Sequence, residues 1–161
     1  MIKIRAATRA DEEAIWKIFH AVIAAGDAYY FDPKMSREDA MAFWYGPGAQ
    51  VYVAENEGAI VGSYIFQANR PGLGSHVSNA AFMVSPESRG LGVGRQMGEH
   101  CLVEAKKAGF TAMQFNFVIS TNEPAVKLWK QLGFRIVGTL PKAFRHLQKG
   151  FVDVYLMFRE L

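Results

Sequence analysis

The densest chemical signal in the chain is Arg89-Gly90-Leu91-Gly92-Val93-Gly94-Arg95-Gln96. It follows an apolar run ending at Val84 and a Ser85-Pro86 turn, and it leads into a helical pattern. Glycine at alternate positions tolerates positive φ and lets a ligand lie against bare backbone. Unpaired N–H groups at a helix N-terminus point the same way as the helix dipole, which makes an anion site. A phosphate-bearing ligand is therefore expected over 89–96. A Gly-x-Gly-x-x-Gly dinucleotide fingerprint fails, because it puts Arg95 or Met97 where glycine is required. A P-loop fails too, since Gly94 is followed by Arg95-Gln96 and not by Lys-Ser/Thr. What stands here is Arg-x-x-Gly-x-Gly. The bland alternative is a tight glycine turn between a strand and a helix.

A second ordered motif follows, Asn122-Glu-Pro-Ala125-Val-Lys-Leu128-Trp129-Lys-Gln-Leu132-Gly133-Phe134, and a third is Gly150-x-x-Asp153-x-x-x-Met157. With the glycine loop, and with Arg5-x-Ala-Thr8-x-x-Asp11 at the start, the chain resembles the GCN5-related N-acetyltransferases (GNAT) end to end. That resemblance implies an α/β (α+β) fold in one domain, a mixed, mostly antiparallel sheet of about seven strands with about four flanking helices. The sheet is expected to splay between its fourth strand (His76 to Val84) and its fifth (Met113 to Ile119), with acetyl-CoA wedged in the opening. The implied reaction is acetyl transfer from acetyl-CoA to a small-molecule amine, an amino acid or a proline analogue. The alternatives are a protein or peptide N-acetyltransferase and a coenzyme A-binding sensor without chemistry.

Carried over residue by residue, the backbone at Phe82, Met83 and Val84 would pair with the pantetheine arm and the acetyl carbonyl. An extended amide chain can add to an open strand edge, and a backbone N–H on the acetyl oxygen stabilises developing negative charge. The backbone of Arg89, Gly90, Leu91, Gly92, Val93, Gly94, Arg95 and Gln96 would hold the pyrophosphate, with Arg95 adding charge-assisted contacts. The Asn122 side chain would bond the pantetheine. Two departures bear on mechanism. Where the family usually has a tyrosine that protonates the leaving thiolate, Trp129 offers only an indole N–H, so it could hold a sulfur or pack on the cofactor but is a poor general acid. The fourth strand also lacks the glutamate base that many members carry. Asn79, Asn116 and His76 are the candidates to fill that gap. Two asparagines across a cleft can orient an amine and polarise a carbonyl without titrating; the other reading is of structural amides bonding nearby backbone. The set Asn79-Ala80-x-Phe82, Phe115-Asn116, Thr121-Asn122 and Leu128-Trp129 resembles a branch that includes fungal enzymes acetylating toxic proline analogues.

Composition agrees with a small-molecule enzyme. The 161 residues are half apolar with a net charge of +3, and no basic run of the kind that tracks nucleic acid occurs. One cysteine, Cys101, allows no internal disulfide, so a reducing, cytoplasmic setting is expected. His20, His100 and His146 lack ligand spacing, and no metal is expected. No run approaches the ~20 apolar residues of a membrane helix. Dimerisation is common in the family, and nothing in this sequence fixes it.

The elements that must position these residues read clearly in most places. Ile2 to Ala6 alternates as a strand. Thr8 to Asp11 is a cap signature before a helix that buries Ile15, Ile18, Phe19, Val22 and Ile23. Tyr29, Tyr30, Phe31 and Pro33 form an aromatic loop that either covers a substrate site or caps the core. Ser36 opens a short helix through Trp44. Val51 to Ala54 and Ile60 to Gln67 form a hairpin. A helix from Gly92 to about Ala108 buries Met97, Cys101, Leu102 and Ala105, which makes Cys101 a core residue and not a nucleophile. Asn122 to Leu132 is the last helix. Phe134 to Leu140 and Val152 to Phe158 are the closing strands, with Lys142 to Gly150 as a basic loop between them.

Overall fold

The computed structural model describes all 161 residues. Seven strands form one sheet: β1 Ile2–Ala6, β2 Gln50–Asn56, β3 Ala59–Ala68, β4 Val77–Val84, β5 Ala112–Ile119, β6 Arg135–His146 and β7 Gly150–Glu160. Their order across the sheet is β1-β2-β3-β4-β5-β7-β6. All neighbours are antiparallel except β4 and β5, which run parallel. The helices are α1 Glu12–Ala24, α2 Arg37–Trp44, α3 Val93–Lys107 and α4 Glu123–Gln131.

The two faces of the sheet carry separate cores. On one, α1 and α2 bury Ile15, Ile18, Phe19, Val22, Ile23 and Trp44 against Val53, Ile65 and Met83. The stripe read from the sequence is the stripe that is buried, because apolar residues three and four apart share one side of a helix. On the other face, α3 and α4 cover Tyr64, Phe66, Met113 and Phe115 with Met97, Cys101, Ala105 and Trp129. Gly98 is what lets those two helices close up: a Cβ there would stand 2.6 Å from Leu132 Cδ1. Cys101 is fully buried, and burial pushes its thiol above the ordinary range, so it packs and does not react.

Local signals set the ends of these elements. Ser36 Oγ accepts from the Asp39 N–H at 3.1 Å and starts α2. At the start of α1, the Asp11 carboxylate accepts from the Thr8 N–H at 2.8 Å and also takes the Arg5 guanidinium in a two-pronged pair at 2.8 Å on each oxygen. Arg5 in turn reaches Glu55 on β2, so β1, β2 and the start of α1 are joined at one guanidinium.

One expectation is corrected. Lys142 to His146 is not loop but a continuation of β6, and the hairpin turn shrinks to 147–149. The pairing restarts at Phe144↔Val152 after an irregularity that absorbs Pro141 and Lys142. Lys142 takes a left-handed φ of 51° and gives its N–H to Asp153 Oδ1 at 2.9 Å. Alternation then resumes, with Phe144 and His146 buried and Arg145 out. His146 Nδ1 accepts from the N–H groups of Gln148 and Lys149 and closes the turn.

Candidate active site

The parallel pairing of β4 with β5 lasts only for Val77↔Ala112 and Ser78↔Met113. Beyond it the strands part. Asn79 extends the seam by one side chain, its Nδ2 donating to the Gln114 carbonyl at 2.9 Å. On the far side of β5 the pairing with β7 breaks between Phe115 and Val118, where β5 bends away. Trp129 fills the parting on the α3/α4 face, with ring centroids 4.9 Å from Phe82 on β4 and 4.7 Å from Phe115 on β5. It is a buried wedge, part of the core on that face.

Strand geometry decides which backbone groups face the opening. Val77 O accepts from Asn69 N–H and Ser85 N–H donates to Val61 O, so odd-numbered residues of β4 bond to β3. Met83, opposite Ser63, is therefore committed to β3, and among the three strand residues read from the sequence only Phe82 and Val84 turn their N–H and C=O outward. At Phe82 both groups meet a side chain that the sequence offered only as one ring of the aromatic loop. The Tyr29 hydroxyl accepts from Phe82 N–H at 2.8 Å and donates to Phe82 C=O. Burial pushes the Tyr29 phenol above its ordinary range, so it stays protonated and able to donate.

The C-terminal end of β4 feeds the glycine loop. One 3-10 turn over Pro86–Ser88 delivers the chain to Gly90 and Gly92, at φ 81° and 78°, and Gly92 is the N-cap of α3. A side chain at either would be strained. The first helical bond is Gln96 N–H to Gly92 O, and the N–H groups of Gly92, Val93, Gly94 and Arg95 find no partner within the chain. Val93 is buried beneath the loop, while Arg89, Leu91 and Gln96 stand exposed around it. The Arg95 guanidinium points along the helix, pairing with Glu99 at 3.0 Å and reaching Gln131 at 3.4 Å. The anion cradle is therefore backbone, as its glycines require.

Asn122 stands at the start of α4, and its Oδ1 accepts from Ala125 N–H at 3.4 Å, a helix cap that leaves the amide NH2 unengaged. Beside it, Thr121 Oγ1 is the one buried side-chain polar atom without a hydrogen-bond partner.

The remaining asparagine, Asn116, projects on the α1/α2 face in a line of amides. Gln114 Nε2 donates to Asn116 Oδ1 at 2.9 Å, and Asn116 Nδ2 donates to Asn69 Oδ1 at 2.6 Å. Asn79 joins that line through the Gln114 carbonyl, so the two candidates from facing strands are linked but do not touch. Asn69, which follows β3, is a further polar residue here; its place opposite Val77 gave no separate sequence signal. His76 precedes β4, exposed and away from the opening. The segment between α1 and α2 crosses above, where Tyr30 sets its ring 5.1 Å from Phe117, and Leu147 N–H bonds Gly26 O at 3.3 Å. No cluster of three or more His, Cys, Asp or Glu is arranged to hold a metal.

The site therefore has a strand edge without a neighbouring strand and four unpaired N–H groups at a helix N-terminus on the β4 side, and an orphaned buried hydroxyl on the β5 side of the parting. That set fits a long ligand with an extended amide arm and a diphosphate, the chemistry of coenzyme A. Comparison with known proteins agrees. The acetyltransferase (GNAT) family model matches residues 16–134. N-acetyltransferase aca1 of Schizosaccharomyces pombe is 30% identical over 151 residues, covering 83% of this chain and 72% of that protein. A GCN5-related N-acetyltransferase structure from Kribbella flavida superposes with a TM-score of 0.94 at 42% identity, over 99% of this chain and 98% of that one. A phosphinothricin acetyltransferase from Sinorhizobium meliloti, solved with acetyl-CoA, superposes at 0.87 with 26% identity, over 99% of this chain and 88% of that one. The chain belongs to the acetyltransferase (GNAT) family and is an N-acetyltransferase that uses acetyl-CoA.

Proposed function

We propose that the protein transfers the acetyl group of acetyl-CoA directly to the amine of a small molecule of amino-acid size, in the cytoplasm. The observation that carries this reading is the roof over the acceptor side. Tyr30 packs on Phe117 and Leu147 bonds Gly26, so the segment between α1 and α2 is fastened across the face that carries Asn79, Asn116 and Asn69, an arrangement that favours a small acceptor over a peptide. The similarity to an enzyme named for phosphinothricin, a small molecule, supports the same class of acceptor.

In this reading the bound cofactor supplies the acetyl thioester. The N–H groups of Gly92, Val93, Gly94 and Arg95 hold its diphosphate, and the outward edge of β4 orients its amide arm. Thr121 and the free NH2 of Asn122 are donors for the same arm. On the other face, Asn116 and Asn69 orient the amine by hydrogen bonds. Positioning and backbone stabilisation of the carbonyl oxygen are the main sources of rate. β4 carries no carboxylate to act as a base, so the amine's proton leaves through water.

The test is a panel of amino acids, proline analogues, simple amines and short peptides incubated with acetyl-CoA, read as released thiol with mass confirmation of the product. Acetylated small amines are the expected result. Turnover confined to peptides would overturn the small-molecule reading.

A further inference from the structure

Of the β4 residues expected to meet the pantetheine arm and the acetyl carbonyl, Phe82 turns its N–H to the parting, and in this structure that N–H is already taken. The Tyr29 hydroxyl bridges both outward groups of Phe82, accepting from its N–H at 2.8 Å and donating to its carbonyl. A water or a passing polar side chain would be easy to displace, but Tyr29 is built in. Its backbone adopts a left-handed φ of 64°, rare for a residue with a side chain and held here by the surrounding packing. Its ring stacks 6.0 Å from Phe31, which itself packs 5.2 Å from Phe19 in the α1 core. The segment is fastened on either side of Tyr29, at Gly26 by Leu147 and at Tyr30 by Phe117. A phenol satisfies a donor and an acceptor at once, so the single N–H of Phe82 is not free while Tyr29 stays in place.

We propose that Tyr29 is a positioning residue that reserves the Phe82 backbone pair in the free protein, so that a thioester carbonyl reaches the Phe82 N–H only as the Tyr29 hydroxyl leaves it. The inference rests on the acetyl-transfer reading above. It separates two ligands that differ by one acyl group. Coenzyme A with a free thiol has no carbonyl to place on Phe82, and it binds through the diphosphate cradle and the Val84 end of the strand with Tyr29 undisturbed. Acetyl-CoA must displace the hydroxyl to place its carbonyl there. Tyr29 therefore lowers the preference for loaded over unloaded cofactor, which favours release of the acyl group's binding site once transfer is complete.

The test is calorimetric titration of the full chain and of Tyr29→Phe with acetyl-CoA and, separately, with coenzyme A. Removing one oxygen leaves the Phe82 groups without an internal partner, so acetyl-CoA is expected to bind about tenfold tighter, the worth of roughly one net hydrogen bond. Coenzyme A affinity is expected to stay within about twofold. In turnover the KM for acetyl-CoA falls while kcat for a good acceptor holds, a split that a general loss of packing would not give. Equal or weaker acetyl-CoA binding by Tyr29→Phe, with coenzyme A still bound, overturns this inference and leaves the acetyl-transfer reading standing. Failure of both proteins to bind either ligand overturns both. Should the variant not fold, the wild-type protein labelled with 15N-phenylalanine decides the matter: the Phe82 amide resonance is expected to move further with acetyl-CoA than with coenzyme A, and equal displacement by the two overturns the proposal.

Discussion

At its start, β4 gives Val77 and Ser78 to a parallel pairing with Ala112 and Met113; further along, the same edge at Phe82 and Val84 faces no strand. The first end is ordinary sheet. The second is a half-buried edge without a strand neighbour, where the Tyr29 hydroxyl takes up both outward groups of Phe82 in place of a ladder partner. Three features together account for the change. Asn79 replaces a main-chain rung by a longer side-chain one, the break in β5–β7 pairing after Phe115 turns β5 aside, and Trp129 keeps the strands apart from the α3/α4 face. The lesson is that a binding cleft can be cut into a sheet without shortening either strand, by changing what bridges them.

The largest expected effect attacks the open end. Gly92→Glu sets a carboxylate and a strained backbone at φ 78° against the diphosphate cradle, and acetyl-CoA affinity should fall more than about a hundredfold in a titration while the circular dichroism spectrum is kept. Next comes the hinge between the two ends. Asn79→Ala strands the Gln114 carbonyl and should lower unfolding free energy by about 1–2 kcal/mol, with a loss of about tenfold in kcat/KM as the parting changes shape. A stable but inactive variant would show instead that Asn79 touches substrate.

Asn122 sharpens the comparison on the opposite wall. Asn122→Asp retains an oxygen for the Ala125 N–H and adds charge at a helix N-terminus, whereas Asn122→Ala loses the cap at a cost of about 1 kcal/mol. Both remove the amide donor. If that donor holds the cofactor, the two variants share a rise in KM for acetyl-CoA but differ in Tm; if Asn122 is only a cap, Asn122→Asp behaves as wild type. The smallest effect on the cofactor, none at neutral pH, comes from a site far from the cleft and serves as a control. Arg5 holds the Asp11 carboxyl down to about 2 from 3.8. A depressed carboxylate contributes stability that is complete above its unfolded value and disappears as pH falls from about 4 to about 2. Wild type should lose about 2 kcal/mol over that window that Asp11→Asn does not, measured by denaturant titration at each pH, with acetyl-CoA affinity at neutral pH unchanged.

How much of this was legible depended on whether a residue's role is local. The α1 stripe from Ile15 to Ile23 and the glycines at 90 and 92 are dictated by period and φ, and both were readable from the chain alone. Asn79 and Asn116 were readable as polar groups on facing strands, but their partners, Gln114 and Asn69, depend on where the strands part. Tyr29 was one ring among several in an aperiodic cluster, and only the fold brings it to Phe82. Gly98 looked like any helical glycine until α4 was laid against it. In β6 a proline and a run of basic residues read as loop, because the alternation that marks the strand resumes only at Phe144.

That interrupted strand has a consequence for behaviour in a crowded solution. β6 is the outermost strand on its side of the sheet and twelve residues long, enough to recruit a foreign strand along its free side. Pro141 has no N–H to donate, and Lys142 turns its own N–H inward to Asp153. An incoming strand therefore meets two short runs out of register with each other instead of one continuous template, so the irregularity at 141–142 disfavours strand addition at this edge.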